Sequence, residues 1–298
     1  MSIYTPQPIF SKPLFQRSLI FLIIFLILAA LFVLLGFGRP NLAVVIALDL
    51  STSTHDGKWN GQGTVMAKEI EAVNAYLDLN LKLSNPNQIQ VLGFGDVVEK
   101  LAPSFQSDSS QVKKDFTESL TKPDIRSKFI ASGTNLSLVI SESVSNLKEV
   151  GDRCRQMLLV TDGDANINPE VIADAVANKV KVNSVIVGAE SPAVLAVTLA
   201  TGGTYNSSLV GDLSLLFTDK IFSGFNSNIR WVIFWLGCAW VALMWLLVHH
   251  LDLFFQKFLG IGFSLAGKLA LSNALFWTFS TIGIVWRITN GFVFLSQC

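Results

Sequence analysis

The chain has 298 residues, 51% of them apolar and 15% charged, with a mean hydropathy of +0.49 and a formal net charge of zero. Three stretches, 18–38, 231–248 and 269–286, carry no charged side chain, and each is long enough to cross the roughly 30 Å hydrocarbon layer as a helix, which excludes an ordinary soluble enzyme. The neutral total divides unevenly: between Asn41 and Ile229 stand 15 basic against 21 acidic residues, a net of −6, and outside that window seven basic residues face one acid, Asp252. An acidic domain lacks the phosphate-neutralising charge of a nucleic-acid binder, and the three cysteines form no CxxC pair for a metal.

In chain order, a tail (1–17) precedes the first span, 18–38, which lies between Arg17 and Arg39. The small-x-small triplet Gly36-Phe37-Gly38 resembles a signal-peptidase site, but a cleaved h-region usually has only about 7 to 15 residues, so a retained signal-anchor is expected. The pattern then changes. Residues 42–48 form a continuous apolar run of the kind a doubly covered parallel strand shows. Met66, Ile70, Val73, Leu77 and Leu81 recur at helical spacing, and 89–92 reads as a second strand after Asn85-Pro86-Asn87. Leu136, Ile140, Val144 and Leu147 mark another helix, and 157–160 and 182–187 mark two further strands. Asn168-Pro169 and Ser191-Pro192 each put a capping side chain before a proline suited to a first helical turn. This alternation predicts one α/β domain over 41–225, a doubly wound, mainly parallel sheet covered on both faces.

The C-terminal region holds six of the seven tryptophans. A second span, 231–248, is followed by an interfacial connector, 249–268, then by a third span, 269–286, and a tail, 287–298. Asn273 and Ser280 lie seven apart on one face of the third span and suit interhelical hydrogen bonds. The basic flanks divide four to three: Lys12, Arg17, Lys257 and Lys268 on one side, Arg39, Arg230 and Arg287 on the other. That bias puts the domain on the extracytoplasmic side of a plasma or inner membrane, with lipid around the spans.

The chemistry is concentrated at predicted strand ends, where open α/β sheets bind ligands. The first strand runs into Asp49-Leu50-Ser51-Thr52-Ser53, whose alternate residues can turn hard oxygen ligands toward one point, as Mg²⁺ requires. The strand 157–160 runs into Thr161-Asp162-Gly163-Asp164, a second acid at a second strand end. Between them, Ser132-Gly133-Thr134-Asn135-Leu136 sets a threonine where a loop opens a helix.

These residues resemble the von Willebrand factor type A family with its metal-ion-dependent adhesion site. Asp49, Ser51 and Ser53 match the D-x-S-x-S motif, Thr134 the distal threonine and Asp162 the T-D-G aspartate. The segment Leu199-Ala200-Thr201-Gly202-Gly203-Thr204-Tyr205 resembles the family's L-A-x-x-G-G-x-Y before the last strand. The chain departs from the pattern at Ser132, where glycine is common, and in a long polar loop, 54–63. The resemblance implies that Ser51 and Ser53 bind Mg²⁺ directly, with Mn²⁺ and Ca²⁺ as alternatives. Asp49 and Asp162 then neutralise the ion, Thr134 completes the site, and one position stays open for an Asp or Glu of a protein partner. His55, Lys58 and Trp59 are expected to form the rim that selects this partner.

Competing motifs fail at specific positions. An EF-hand beginning at Asp162 has Ile167 where glycine is needed and Ala173 where a bidentate Glu belongs. Gly57-Lys58 is followed by Trp59 rather than a P-loop hydroxyl. Ser51 lies in no G-x-S-x-G turn, and His55 is the one histidine in the domain. The expectation is therefore a membrane-anchored, adhesion-type interaction module without catalytic residues. The alternative is an accessory or assembly subunit of a larger membrane complex, linked to an ATPase or to transport.

Overall fold

The computed structural model describes residues 13–163, 165–188 and 190–289. Most of the predicted tails 1–17 and 287–298, and Asp164, lie outside them. In chain order the elements begin with α1 (Pro13–Leu35), β1 (Leu42–Asp49), α2 (Thr52–His55), α3 (Val65–Leu81), β2 (Gln88–Phe94) and β3 (Val98–Gln106). Then come α4 (Ser109–Thr121), α5 (Pro123–Phe129), α6 (Leu136–Lys148), β4 (Cys154–Thr161), α7 (Pro169–Ala177), β5 (Lys181–Val187), α8 (Pro192–Thr201) and β6 (Tyr205–Ser208). A helical run follows through α9 (Leu213–Leu215), a π-helical stretch (Leu216–Phe222) and α10 (Ser223–Phe225), and the chain ends with α11 (Ile229–Phe258) and α12 (Phe263–Ile288). Two compact units result, Pro40–Asn226 and Met1–Arg39 with Ser227–Cys298.

Pro40–Asn226 is built on a six-stranded sheet in the order β3-β2-β1-β4-β5-β6. All neighbours are parallel except β2 and β3. Every residue of β1 is buried, because alternate side chains enter different cores. Leu42, Val44, Ile46 and Leu48 join α3, α4 and the π-helical stretch on one face. Ala43, Val45 and Ala47 join α6, α7 and α8 on the other. The unbroken apolar runs of the sequence are therefore strands with no solvent face.

The caps form as the sequence predicts. Asn168 accepts from Glu170 N at 3.0 Å and Ser191 from Val194 N at 3.3 Å, each before a proline in the first turn. Gly202 ends α8 with φ +70, and a Cβ at Gly203 would lie 1.9 Å from Val182 O, so the Gly-Gly pair answers a left-handed cap and then a close backbone approach. β3 is the strand the sequence does not announce. It is an antiparallel edge with register shifts against β2, it contains Pro103, and its outer positions include exposed Lys100.

Among the described residues of the second unit, three helices are long and apolar enough to cross a membrane: α1, α11 and α12. The predicted connector 249–268 is mostly helical, since α11 continues to Phe258 and α12 begins at Phe263. Lys257 stays within the helix near its C-terminal end, where a cation complements the macrodipole. α1 ends against a side-chain cap: Asn228 Nδ2 donates to Phe32 O at 2.5 Å and to Phe37 O at 3.0 Å. A Cβ on Gly237 would lie 2.7 Å from Val285 Cγ2, so glycine permits the close approach of α11 and α12. Among the described residues, neither Asn273 nor Ser280 makes the hydrogen bond that joins Trp245 of α11 to α12. It runs from Trp245 Nε1 to Thr278 Oγ1 at 3.1 Å, and the Thr278 hydroxyl in turn donates to Ala274 O.

Candidate metal centre

The candidate residues come from the carboxyl ends of β1 and β4, neighbours at the middle of the sheet. Asp49, the last residue of β1, is fully buried. Its Oδ1 accepts from Ser51 N at 2.9 Å, and its Oδ2 accepts from Thr161 Oγ1 at 2.5 Å, which ties β1 to the end of β4. The hydroxyls of Ser51 and Ser53 lie 3.1 Å apart, and Ser53 Oγ donates to Asp162 Oδ1 at 2.8 Å, across 109 positions of sequence. Ser51 stands at the N-cap of α2, yet its side chain caps no backbone N–H. Its oxygen faces the Ser53 hydroxyl instead, which is hard to explain as mere helix capping. A Cβ added at Gly163 would lie 3.3 Å from Thr134 Oγ1, so Thr134 stands beside the residue following Asp162. All five predicted residues are thus brought to one end of the sheet.

The loop carrying Thr134 is held by contacts that the sequence does not reveal. Thr52 N and Thr52 Oγ1 both donate to Ser132 O at 3.1 Å. Ser132 Oγ accepts from Asp96 N at 2.6 Å, and Asp96 Oδ2 accepts from Gly133 N at 2.7 Å. A Cβ at Gly95 would meet Ser132 Oγ at 2.2 Å, so the serine found where glycine is common is packed against a glycine opposite. Asp96, at the end of β2, is a positioning residue for this loop.

The electrostatics are one-sided. Burial pushes the Asp49 carboxyl up to about 6; hydrogen bonds from Ser51 and Thr161 oppose this, and the charge of Asp162 adds to it. Glu69, on the buried face of α3, was not among the sequence candidates. It is 0% exposed, and neither carboxylate oxygen has a hydrogen-bond partner. Burial first, and then the charges of Asp49 and Asp162, hold its carboxyl well above the ordinary range. No Lys or Arg is among the described charges acting on Asp49 or Glu69. Among the described residues no three His, Cys, Asp or Glu side chains suffice to hold a metal by themselves, so a cation here depends on the serine and threonine hydroxyls. Hard hydroxyl and carboxylate oxygens, an orphaned buried carboxylate and the lack of a basic neighbour together fit a divalent cation of the Mg²⁺ type.

The three residues expected to form a rim differ in exposure. His55 is buried, with Nε2 3.2 Å from Phe129 O and Nδ1 accepting from Gly57 N at 3.2 Å. Trp59 is half-buried, donates from Nε1 to Leu120 O at 3.0 Å and stacks on Phe129. Both rings fasten the 54–63 loop to α4 and α5, and the polarity that suggested a rim is used internally. Lys58 is exposed. Thr52 and Ile130, joined through Thr52 Oγ1 to Ile130 O at 3.4 Å, are also exposed beside the site.

The sheet order, the helices on both faces and the position of this centre define a von Willebrand factor type A fold. Among solved structures the chain is similar to a von Willebrand factor type A protein from Catenulispora acidiphila, with a TM-score of 0.51 and 15% identity. The match covers 62% of this chain and 43% of that one, so the chain spans less than half of that protein. It is also similar to the conserved hypothetical protein BatB from Bacteroides thetaiotaomicron (TM-score 0.47, 16% identity, covering 62% of this chain and 100% of that one). A third likeness is to an aerotolerance-related membrane protein from Bacteroides fragilis, with a TM-score of 0.47, 16% identity and coverage of 60% and 96%. No family profile and no curated protein matches the chain by sequence.

Proposed function

We propose that the chain is a membrane-anchored interaction module in which Asp49, Ser51, Ser53, Thr134 and Asp162 hold a divalent cation, Mg²⁺ or Mn²⁺, that is completed by a carboxylate of a protein partner. One observation carries the reading: the hydroxyl–carboxylate chain from Ser51 through Ser53 to Asp162, which joins residues 109 positions apart beyond two strand ends, with Ser53 exposed to solvent. A bound cation of this kind supplies an electrophilic site that retains exchangeable waters, which an Asp or Glu can replace. The protein's own groups do the rest. The serine hydroxyls contribute oxygen without charge, the two aspartates supply the balancing charge, and the Ser132–Asp96 bonds fix the threonine loop. Around them the domain is acidic, so it repels an acidic partner until the cation is in place.

No side chain in this arrangement is poised as a nucleophile with a general base, because the one nearby imidazole, His55, is committed to Phe129 O and Gly57 N. The reading is therefore of binding rather than catalysis. Its test is the melting of the detergent-solubilised full chain in Mn²⁺, in Mg²⁺ and in EDTA, beside Asp49→Ala. The wild type should be stabilised by metal and Asp49→Ala should not. A wild-type melting curve indifferent to both metals and to EDTA removes the proposal. The role of the partner is checked on a complex captured with the metal-loaded chain: replacing the partner's contacting acid by its amide should release it, as should EDTA.

A further inference from the structure

Glu69 is the least comfortable group in the domain. Glutamate is almost never fully buried unless paired, and a buried carboxyl with both oxygens unsatisfied costs more than the ordinary penalty for a lost hydrogen bond. Nothing in the fold requires an acid there. Met66, Ala72, Val73, Tyr76 and Leu77, its companions on the inner face of α3, are apolar and buried. A methionine or leucine would pack the same space without an orphaned group. The position is also specific: α3 packs on β1, and Met66 and Val73, which flank Glu69 on the inner face of the helix, share a core with Leu48 and Leu50 on either side of Asp49, while the charges of Asp49 and Asp162 act on Glu69.

A carboxylate excluded from the direct ligand set, yet within electrostatic reach of both acidic ligands, suits one role. We infer that Glu69 is a positioning carboxylate of the metal centre, standing behind the direct ligands, accepting a hydrogen bond from a water on the bound divalent cation and adding a third negative charge to balance it. The inference rests on the reading of the preceding subsection. It adds a specificity element to it: a site with a third acid favours small, strongly hydrated divalent cations over monovalent ones. It also explains why an unsatisfied glutamate is kept at a position where apolar packing would be more stable. Groups that orient a metal's water or ligands typically change affinity by 10 to 100-fold when removed.

The experiment uses the full chain in detergent. Mn²⁺ affinity is read from the signal of free Mn²⁺ in electron paramagnetic resonance, and metal-free stability from the melting temperature in EDTA, for the wild type, Glu69→Gln, Glu69→Met and Asp49→Ala. Both Glu69 variants are expected to bind Mn²⁺ roughly tenfold or more weakly, while Glu69→Met melts at or above the wild-type temperature in EDTA. Loss of metal affinity without loss of metal-free stability is the signature a purely structural residue does not give. Wild-type affinity in both Glu69 variants, with binding lost in Asp49→Ala, overturns the role of Glu69 and leaves the centre standing. Weakened binding that tracks a lowered metal-free melting temperature in both variants overturns it too. If the wild type binds no Mn²⁺, the centre itself falls, and Glu69 with it.

Discussion

Two polar residues on the inner face of α3, Glu69 and Asn80, are both 0% exposed, and the fold treats them in opposite ways. Asn80 is fully used. Its Nδ2 donates to Asn87 O at 3.0 Å and to Ser109 Oγ at 2.9 Å, and its Oδ1 accepts from Asn87 N at 3.0 Å. It thereby fixes the loop into β2 and the start of α4. Glu69, three turns earlier on the same helix, has no hydrogen-bond partner for its carboxylate among the described residues. The contrast separates buried polarity that builds the structure from buried polarity that the structure merely tolerates, and the tolerated residue is the one on which the charges of the two acids of the candidate centre act. Polar satisfaction, rather than burial or charge alone, distinguishes the two.

The contrast can be broken most directly at Asn80. Asn80→Ala removes three hydrogen bonds and strands their partners, so urea-dependent pulse proteolysis of the solubilised chain should report a loss of roughly 3 kcal/mol or more, whereas Glu69→Met should show none. Comparable losses in both variants would erase the distinction.

Next in size is the pH response without metal. The Asp49 carboxyl is raised from 3.8 to about 6 and that of Glu69 is raised as well, so the folded chain keeps protons that the unfolded chain has already released. Stability should therefore fall as pH rises from about 4 through about 6, by on the order of 3 kcal/mol for Asp49. Urea midpoints in EDTA at pH 5 and pH 7 check the sign, and a higher midpoint at pH 7 would contradict it.

Saturating Mn²⁺ should restore much of that loss. At about 100 times the dissociation constant it should add about 2.7 kcal/mol if the unfolded chain binds none, read as a rise in urea midpoint that Asp49→Ala lacks.

The smallest effect lies in the helical unit, which repeats the contrast with a satisfied indole, Trp245 on Thr278, and an unsatisfied one, Trp235. Thr278→Val should weaken the contact of α11 and α12 by about 0.6 kcal/mol, measured by crosslinking yield between cysteines placed on the two helices, while Asn273→Leu should leave that yield unchanged.

What the sequence makes legible follows from distance along the chain. β1, β2, β4 and β5 announce themselves because each puts buried apolar residues on both faces of the sheet. β3 does not, since an edge strand with Pro103 and Lys100 resembles a loop, and α4 does not because its few buried residues, such as Val112 and Phe116, are diluted by charge. The five candidate ligands are readable because four sit in short motifs at strand ends and Thr134 sits in the short loop that opens α6. Glu69 is hidden by the habit of assigning helical glutamates to the surface. Its signal was present all the same: it falls three residues after Met66 and four before Val73, on the apolar stripe itself. His55 and Trp59 show the converse difficulty: polar and aromatic residues that read as a contact surface in a loop also make internal fastenings, to Phe129 and Leu120.

The two borders of the sheet differ in length but share a property. β6 has four residues, and β3 is interrupted by register shifts and carries a proline and an exposed lysine. Neither offers a long, regular row of free amides and carbonyls. With helices long and apolar enough to cross a membrane in the same chain, copies held in one bilayer would meet at high local density, where an open strand is a template for cross-chain pairing and irreversible clustering. Blunted borders let the domain meet its own kind without zipping, and leave the end of the sheet that carries the candidate centre as the open place for the proposed ligand.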